Sequence, residues 1–173
     1  MDTAGGPPLV GVVMGSDSDL KLMRPAVDAL AEFGVPWEAL VASAHRSPDR
    51  AGLYAGSARE RGLRVIICGA GWAAHLAGVM AASTILPVIG VPLATSPLGG
   101  MDALLATAQM PSGVPVATMS LNGARNAAIL AVQILALTDP GLAGKLVELK
   151  AAMTEKIGER SAELAAKLKT EVR

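Results

Sequence analysis

Aromatic side chains are nearly absent from this sequence, which contains two tryptophans, one tyrosine and one phenylalanine. Proteins that bind single-stranded nucleic acid stack the bases on aromatic platforms, and this chain lacks the residues to build one. The 15 lysines and arginines are balanced by 15 aspartates and glutamates, so the chain also lacks the basic surface of a nucleic-acid-binding protein. The composition therefore predicts that the protein has no nucleic-acid partner.

Cysteine, histidine and long apolar runs are also scarce. The one cysteine, Cys68, excludes an internal disulfide and falls in an apolar run, where we expect a buried hydrophobic side chain rather than a nucleophile. Two histidines and one cysteine, dispersed along the chain, do not have the spacing of a metal site. No apolar run is long enough to cross a membrane, and the first residues lack the pattern of a signal peptide. These absences predict a cytoplasmic protein without a metal or a membrane partner.

Two kinds of apolar pattern alternate along the chain. Continuous apolar runs, each followed by a break, predict five strands, at residues 9–14, 37–42, 63–68, 87–91 and 114–119. Helical spacing of apolar residues predicts six helices, at residues 20–33, 48–62, 73–83, 101–109, 122–137 and 142–172. Strands that alternate with helices form a parallel sheet covered by helices on both faces.

This alternation predicts the fold class. Five strands in 173 residues indicate a flavodoxin-like α/β protein, a three-layer α/β/α sandwich with the parallel strand order 2-1-3-4-5. We expect a single domain over residues 1–173, with a loose leader at 1–8 and a long C-terminal helix at 142–172 that packs on a neighbouring subunit. In this strand order the loops after strands one, two and three share one crevice at the carboxyl ends of the strands, where ligands bind.

The segment after the second predicted strand, residues 41–49, carries an imidazole next to a guanidinium. His45 can give and take protons near neutral pH, and Arg46 beside it suits a phosphate or a carboxylate. On these residues alone, a structural loop histidine with a solvated arginine is an equally good interpretation.

The loop after the first predicted strand has the sequence GSDSD, at residues 15–19. Amide groups at a helix start favour an anion, and the hydroxyls of Ser16 and Ser18 add donors. Capping of the helix by the same side chains is the alternative. Asp19 would discourage a phosphate directly on it but suits ribose hydroxyls.

The loop after the third predicted strand has the sequence GAGWAAH, at residues 69–75. Its glycines allow a ligand to approach the backbone closely. His75 is expected just inside the following helix, where a structural histidine is the alternative to a catalytic one. Residues 97–102 and 109–113 look like turns around the same rim.

Four motifs occur together in an order that resembles a known family. MGSDSD follows the first strand, SAHRSP the second and GAGWAAHL the third, and QMPSGVPVAT leads into the fifth. The combination closely resembles the PurE family of N5-carboxyaminoimidazole ribonucleotide mutases of purine biosynthesis, over about residues 10–137. The resemblance implies an isomerase that converts N5-carboxyaminoimidazole ribonucleotide (N5-CAIR) to its 4-carboxy isomer (CAIR) by decarboxylation and recarboxylation. It also implies no cofactor and no metal, a small ribonucleotide substrate and a homo-octamer.

The resemblance implies roles for the motif residues. His45 is the general acid and base, and His75 is a second catalytic histidine of the same site. The substrate-binding residues are Ser16, Ser18, Ser43 and Arg46 around the phosphate, Asp19 at the ribose, and Gly71 in the wall that confines carbon dioxide.

Two residues of the third motif depart from the family pattern. Trp72 stands in place of a glycine, and Ala77 in place of a proline. A tryptophan at this position narrows the pocket, points away from it or marks a different specificity. A direct carboxylase of aminoimidazole ribonucleotide (AIR) and a non-catalytic nucleotide-binding paralogue are therefore kept as alternatives. The lysine that typically follows the histidine in direct carboxylases is Arg46 here, which favours the mutase.

Overall fold

The computed structural model describes residues 6–171, whose strands form one five-stranded sheet. The strands are β1 (Val10–Met14), β2 (Trp37–Val41), β3 (Val65–Gly71), β4 (Val88–Leu93) and β5 (Ala117–Thr118). The helices are α1 (Leu20–Phe33), α2 (Pro48–Ser57), α3 (Leu76–Ser83), α4 (Met101–Ala108), α5 (Ala124–Ala136) and α6 (Pro140–Glu171). All strand pairs are parallel, in the order β2-β1-β3-β4-β5, so the predicted flavodoxin-like α/β fold is confirmed.

The central strands are buried on both faces because helices cover both. Ile66 and Cys68 of β3 belong to a core cluster that also contains residues of α2 and α3. A side chain added at the next residue, Gly69, would overlap Met23 of α1. Since successive residues of a strand point to opposite faces, α1 covers the face opposite to α2 and α3. Cys68 is buried as predicted, and burial raises the pKa of its thiol.

Helix α1 has the predicted bounds because its apolar spacing and its terminating glycine are local features of the sequence. Its buried face repeats at helical spacing, through Met23, Ala26, Leu30 and Phe33. Gly34 adopts a left-handed backbone with φ 68° and ends the helix, a conformation that glycine takes without steric cost.

Helix α3 starts three residues later than predicted, so the placement of His75 just inside it is wrong. His75 is the residue that immediately precedes the helix. Trp72 has φ 54°, outside the helical region, and two tight turns follow it. In these turns the N–H of Ala74 donates to the carbonyl of Trp72, and the N–H of His75 donates to the carbonyl of Ala73. These bonds hold residues 72–75 in a turn instead of a first helical turn.

Other element ends also differ from the prediction. Helix α2 ends at Ser57 and not near Gly62, and β5 has two residues where six were expected. Strands β3 and β4 run on to Gly71 and Leu93, beyond their predicted ends. Pro115 lies in the predicted fifth strand and has no N–H to donate, which is one reason that the strand is short.

The chain forms two compact units, which divide between Ile134 and Leu135. The first contains the sheet, and the second contains α6. Helix α6 begins at Pro140, two residues before its predicted start, because proline is tolerated at the first helical position and the Asp139 carboxylate accepts hydrogen bonds from the N–H groups of Gly141 and Leu142. The single domain stays a prediction.

Parts of two predicted segments lie outside the described residues, namely residues 1–5 of the leader and residue 172 of the C-terminal helix. No helix in the described part of the chain is long and apolar enough to cross a membrane.

Candidate active site

The loops that follow β1, β2 and β3 meet in one crevice of about 630 Å³, as the strand order predicts. All of the predicted site residues line it: Ser16, Ser18, Asp19, Ser43, His45, Arg46, Gly71 and His75. The crevice lies within the first unit of the chain. The strand order therefore brings together residues from three separate motifs.

The loop after β1 is a capped 3-10 turn, Asp17–Asp19, that precedes α1. The N–H of Ser16 donates to the Asp19 carboxylate at 3.0 Å, and the Ser18 hydroxyl donates to the Ser16 hydroxyl at 2.9 Å. Asp19 is buried, and burial raises its pKa, an effect that the Ser16 N–H and the Arg46 charge oppose. The capping alternative is thus realised, and the two serine hydroxyls still line the crevice.

Arg46 ties the loop after β2 to the loop after β1. One terminal nitrogen of its guanidinium donates to the carbonyl of Gly15 at 3.2 Å. Its Nε donates to the Ser43 hydroxyl at 3.5 Å, and its backbone N–H donates to the same oxygen at 3.2 Å. These contacts hold the guanidinium at the serine end of the crevice, and its other N–H groups are left to bind an anion.

His45 and His75 form a hydrogen-bonded pair. Nε2 of His45 lies 2.8 Å from Nδ1 of His75, and the rings meet edge-on with their centroids 4.9 Å apart. A hydrogen bond between two imidazole nitrogens needs one donor and one acceptor, so one of the two facing nitrogens carries the hydrogen. The pair is exposed to solvent in the crevice and is suited to receiving and returning a proton.

The end of β3 and the loop after it line the crevice with apolar residues, namely Ala70, Gly71, Trp72 and Ala73. A Cβ added at Gly71 would overlap the hydroxyl of Thr95 and lie 3.1 Å from the carbonyl oxygen of Leu93, so close packing favours glycine at this position. Trp72 follows and is 58% exposed.

The sequence is similar to a family of enzymes that act on aminoimidazole ribonucleotides. The family model described as AIR carboxylase matches residues 9–156. The chain belongs to the AIR carboxylase family. It is similar to the N5-carboxyaminoimidazole ribonucleotide mutase of Pyrococcus horikoshii, with 52% identity covering 91% of this chain and 89% of the relative. It is likewise similar to the protein of that name from Bacillus subtilis, with 54% identity covering 91% and 98% of the two chains.

The fold agrees with the structures of the family. The crystal structure of Treponema denticola PurE superposes with a TM-score of 0.82 at 27% sequence identity, covering 91% of this chain and 98% of that chain. The resemblance to the PurE family that the motifs indicate is therefore confirmed, and so is its α/β fold.

Some crevice residues were missed by reasoning from the sequence. Thr95 follows β4 and reaches the crevice beside Gly71; its position at a strand end is the signal that would have found it. The predicted rim residues Gln109 and Met110 instead line a neighbouring depression that shares His75. Among residues 6–171, no three of the residue types that bind metals lie close enough together to hold an ion.

Proposed function

We propose that this protein is an N5-carboxyaminoimidazole ribonucleotide mutase, an isomerase that converts N5-CAIR to CAIR in purine biosynthesis. The observation that carries the proposal is the crevice itself, in which an imidazole pair lies next to a cluster of serine hydroxyls and a guanidinium. Relatives with this name that are about half identical over nine-tenths of the chain support the same reaction.

The serine end of the crevice binds the substrate phosphate. Ser16, Ser18 and Ser43 supply hydroxyl donors, and Arg46 supplies the positive charge, which its bonds to Gly15 and Ser43 hold in position. Asp19, which is buried and lines the crevice, accepts a hydrogen bond from a ribose hydroxyl. The phosphate and ribose together fix the heterocycle near the histidine pair.

His45 moves the one proton that the reaction needs. The bond between N5 and the carboxyl carbon breaks, and His45 protonates N5, which leaves AIR and carbon dioxide in the crevice. C4 of the ring then attacks carbon dioxide, and His45 takes the C4 proton as CAIR forms. The imidazole returns to its starting state, so one residue serves as acid and then as base. His75 orients the His45 ring through their hydrogen bond.

The loop after β3 confines carbon dioxide between these steps. A neutral gas offers no charge to bind, so its retention depends on a closed apolar surface and on the exclusion of water. Gly71 allows the backbone to form that wall. The mechanism uses no cofactor and no metal.

By family resemblance we further propose a single cytoplasmic domain that assembles as a homo-octamer.

The test is conversion of N5-CAIR by the purified protein with carbon dioxide and bicarbonate excluded, followed by the absorbance of CAIR. AIR with carbon dioxide is assayed in parallel. Turnover of N5-CAIR supports the mutase. Turnover only with AIR and carbon dioxide would make the protein a direct carboxylase. Absence of turnover in both assays would favour a non-catalytic binding protein.

His45→Asn tests the catalytic assignment. Loss of general acid–base catalysis lowers the rate by about 10²- to 10⁴-fold, while CAIR binding by calorimetry stays near the wild-type value. Because His45 is exposed, the variant is expected to keep the wild-type melting temperature. A turnover number near wild type would remove His45 from the mechanism.

A further inference from the structure

Trp72 is held in a backbone conformation that its side chain disfavours. Its φ of 54° is in the left-handed region, and among the described residues Asn122 is the one other non-glycine residue with a positive φ. Asparagine tolerates this region, whereas a bulky residue there lowers the folded-to-unfolded ratio by roughly five- to thirtyfold. Strain of this kind persists where the surroundings impose it and is concentrated at functional sites.

The side chain held in this way is an apolar surface in the crevice. Trp72 lines the crevice together with both histidines, and the residue is 58% exposed. No other tryptophan, tyrosine or phenylalanine lines it. The indole is therefore a partly uncovered aromatic surface in the crevice that also contains His45, to which we assign proton transfer.

We propose that Trp72 is a substrate-binding residue whose indole covers the aminoimidazole ring of the bound ribonucleotide. The inference rests on the proposed function, which places the phosphate at the serines and Arg46 and the heterocycle at the histidine pair. Trp72 lies three residues before His75, in the turn that positions this histidine, and so belongs to the heterocycle end. An indole over the ring also keeps water from the carbon dioxide that the ring releases and recaptures.

Fluorescence gives a direct test because the chain has two tryptophans. Trp37 lies in β2 and does not line the crevice. Because its ring nitrogen has no hydrogen-bond partner among the described residues, Trp37→Phe removes its emission without breaking a hydrogen bond and with little loss of stability. In this background we expect CAIR to change the Trp72 emission. Ribose 5-phosphate, which has the phosphate but no heterocycle, should leave it nearly unchanged. The variant that also carries Trp72→Phe serves as the blank.

Kinetics gives the second test. Trp72→Gly should raise KM for N5-CAIR about tenfold, the loss expected for one base–aromatic contact, while Trp72→Phe retains part of the affinity. The glycine variant should also melt at a higher temperature, because glycine adopts φ 54° without strain. A merely structural tryptophan would not combine a higher melting temperature with a higher KM.

Two results would overturn the inference: CAIR binding measured by calorimetry without a change in Trp72 emission, or an unchanged KM in Trp72→Gly. Failure of the proposed function is distinguishable from these, because the wild-type protein would then not turn over N5-CAIR. That result would overturn this inference together with the proposed function.

Discussion

Replacing Gly71 with alanine tests whether close packing at the end of β3 shapes the crevice. A Cβ at this position would overlap the Thr95 hydroxyl and would lie 3.1 Å from the carbonyl oxygen of Leu93 and 3.2 Å from Cβ of Thr95. Thr95 is exposed at the rim and can rotate its hydroxyl away, whereas the Leu93 carbonyl belongs to the backbone of β4 and cannot.

The magnitude follows from two opposing effects. Overpacking of a well-packed site costs about 1–3 kcal/mol, and the mobile Thr95 side chain places Gly71→Ala in the lower half of that range. Gly71 does not have a positive φ, so alanine can adopt the same backbone conformation. Because alanine also lowers the conformational entropy of the unfolded chain, it adds about 0.4–1 kcal/mol to the free energy of unfolding. We expect a net loss of about 1 kcal/mol in the free energy of unfolding, or a melting temperature lower by about 2–4 °C.

The assay is urea unfolding of Gly71→Ala, Thr95→Ala and the double variant, at one protein concentration because association would shift the apparent stability. Thr95→Ala removes the overlapping hydroxyl, so the double variant should be more stable than the sum of the single effects by about 0.5–1 kcal/mol. Turnover should fall in Gly71→Ala and recover in part in the double variant. A Gly71→Ala protein as stable as wild type, with additive effects in the double variant, would refute the packing argument.

Two further predictions concern the serine end of the crevice. Arg46→Ala should weaken the binding of ribose 5-phosphate by roughly 10- to 100-fold in calorimetry, because a charge-assisted contact is lost. The control is Arg64→Ala, which removes the same charge at an exposed position outside the crevice and should bind ribose 5-phosphate with wild-type affinity. Equal affinities of the two variants would place the phosphate elsewhere. Asp19→Asn should flatten the dependence of unfolding free energy on pH. Because burial raises the pKa of Asp19 in the folded state, its stabilising contribution is present below the ordinary aspartate pKa of about 4 and is lost as pH rises through the folded value. Parallel curves for the two proteins, measured by urea unfolding from acid to neutral pH, would contradict this assignment.

The elements that were predicted well are those whose information is local. Helix α1 carries its apolar spacing and its terminating Gly34 in its own sequence, and the buried runs of β1, β3 and β4 can be recognised without knowledge of their neighbours. Once five strands alternate with helices, the parallel sheet and its strand order follow with few alternatives.

The elements that were predicted poorly depend on bonds that local pattern does not show. The apolar run around α3 continues back to Ala73, but the left-handed backbone of Trp72 and the turns after it delay the helix to Leu76. Likewise the apolar spacing predicted that α6 starts at residue 142, whereas N–H groups that donate to the Asp139 carboxylate allow the helix to start at Pro140.

The sequence by itself determined the fold class, the family resemblance and eight of the residues that line the crevice, because these depend on periodicity and on motifs at strand ends. Tertiary structure alone decided the contacts among those residues. The bond between His45 and His75 joins side chains 30 positions apart, and the bond from Arg46 to the Gly15 carbonyl joins two loops. Such contacts are decided when the sheet aligns the strand ends, and no spacing along the chain specifies them.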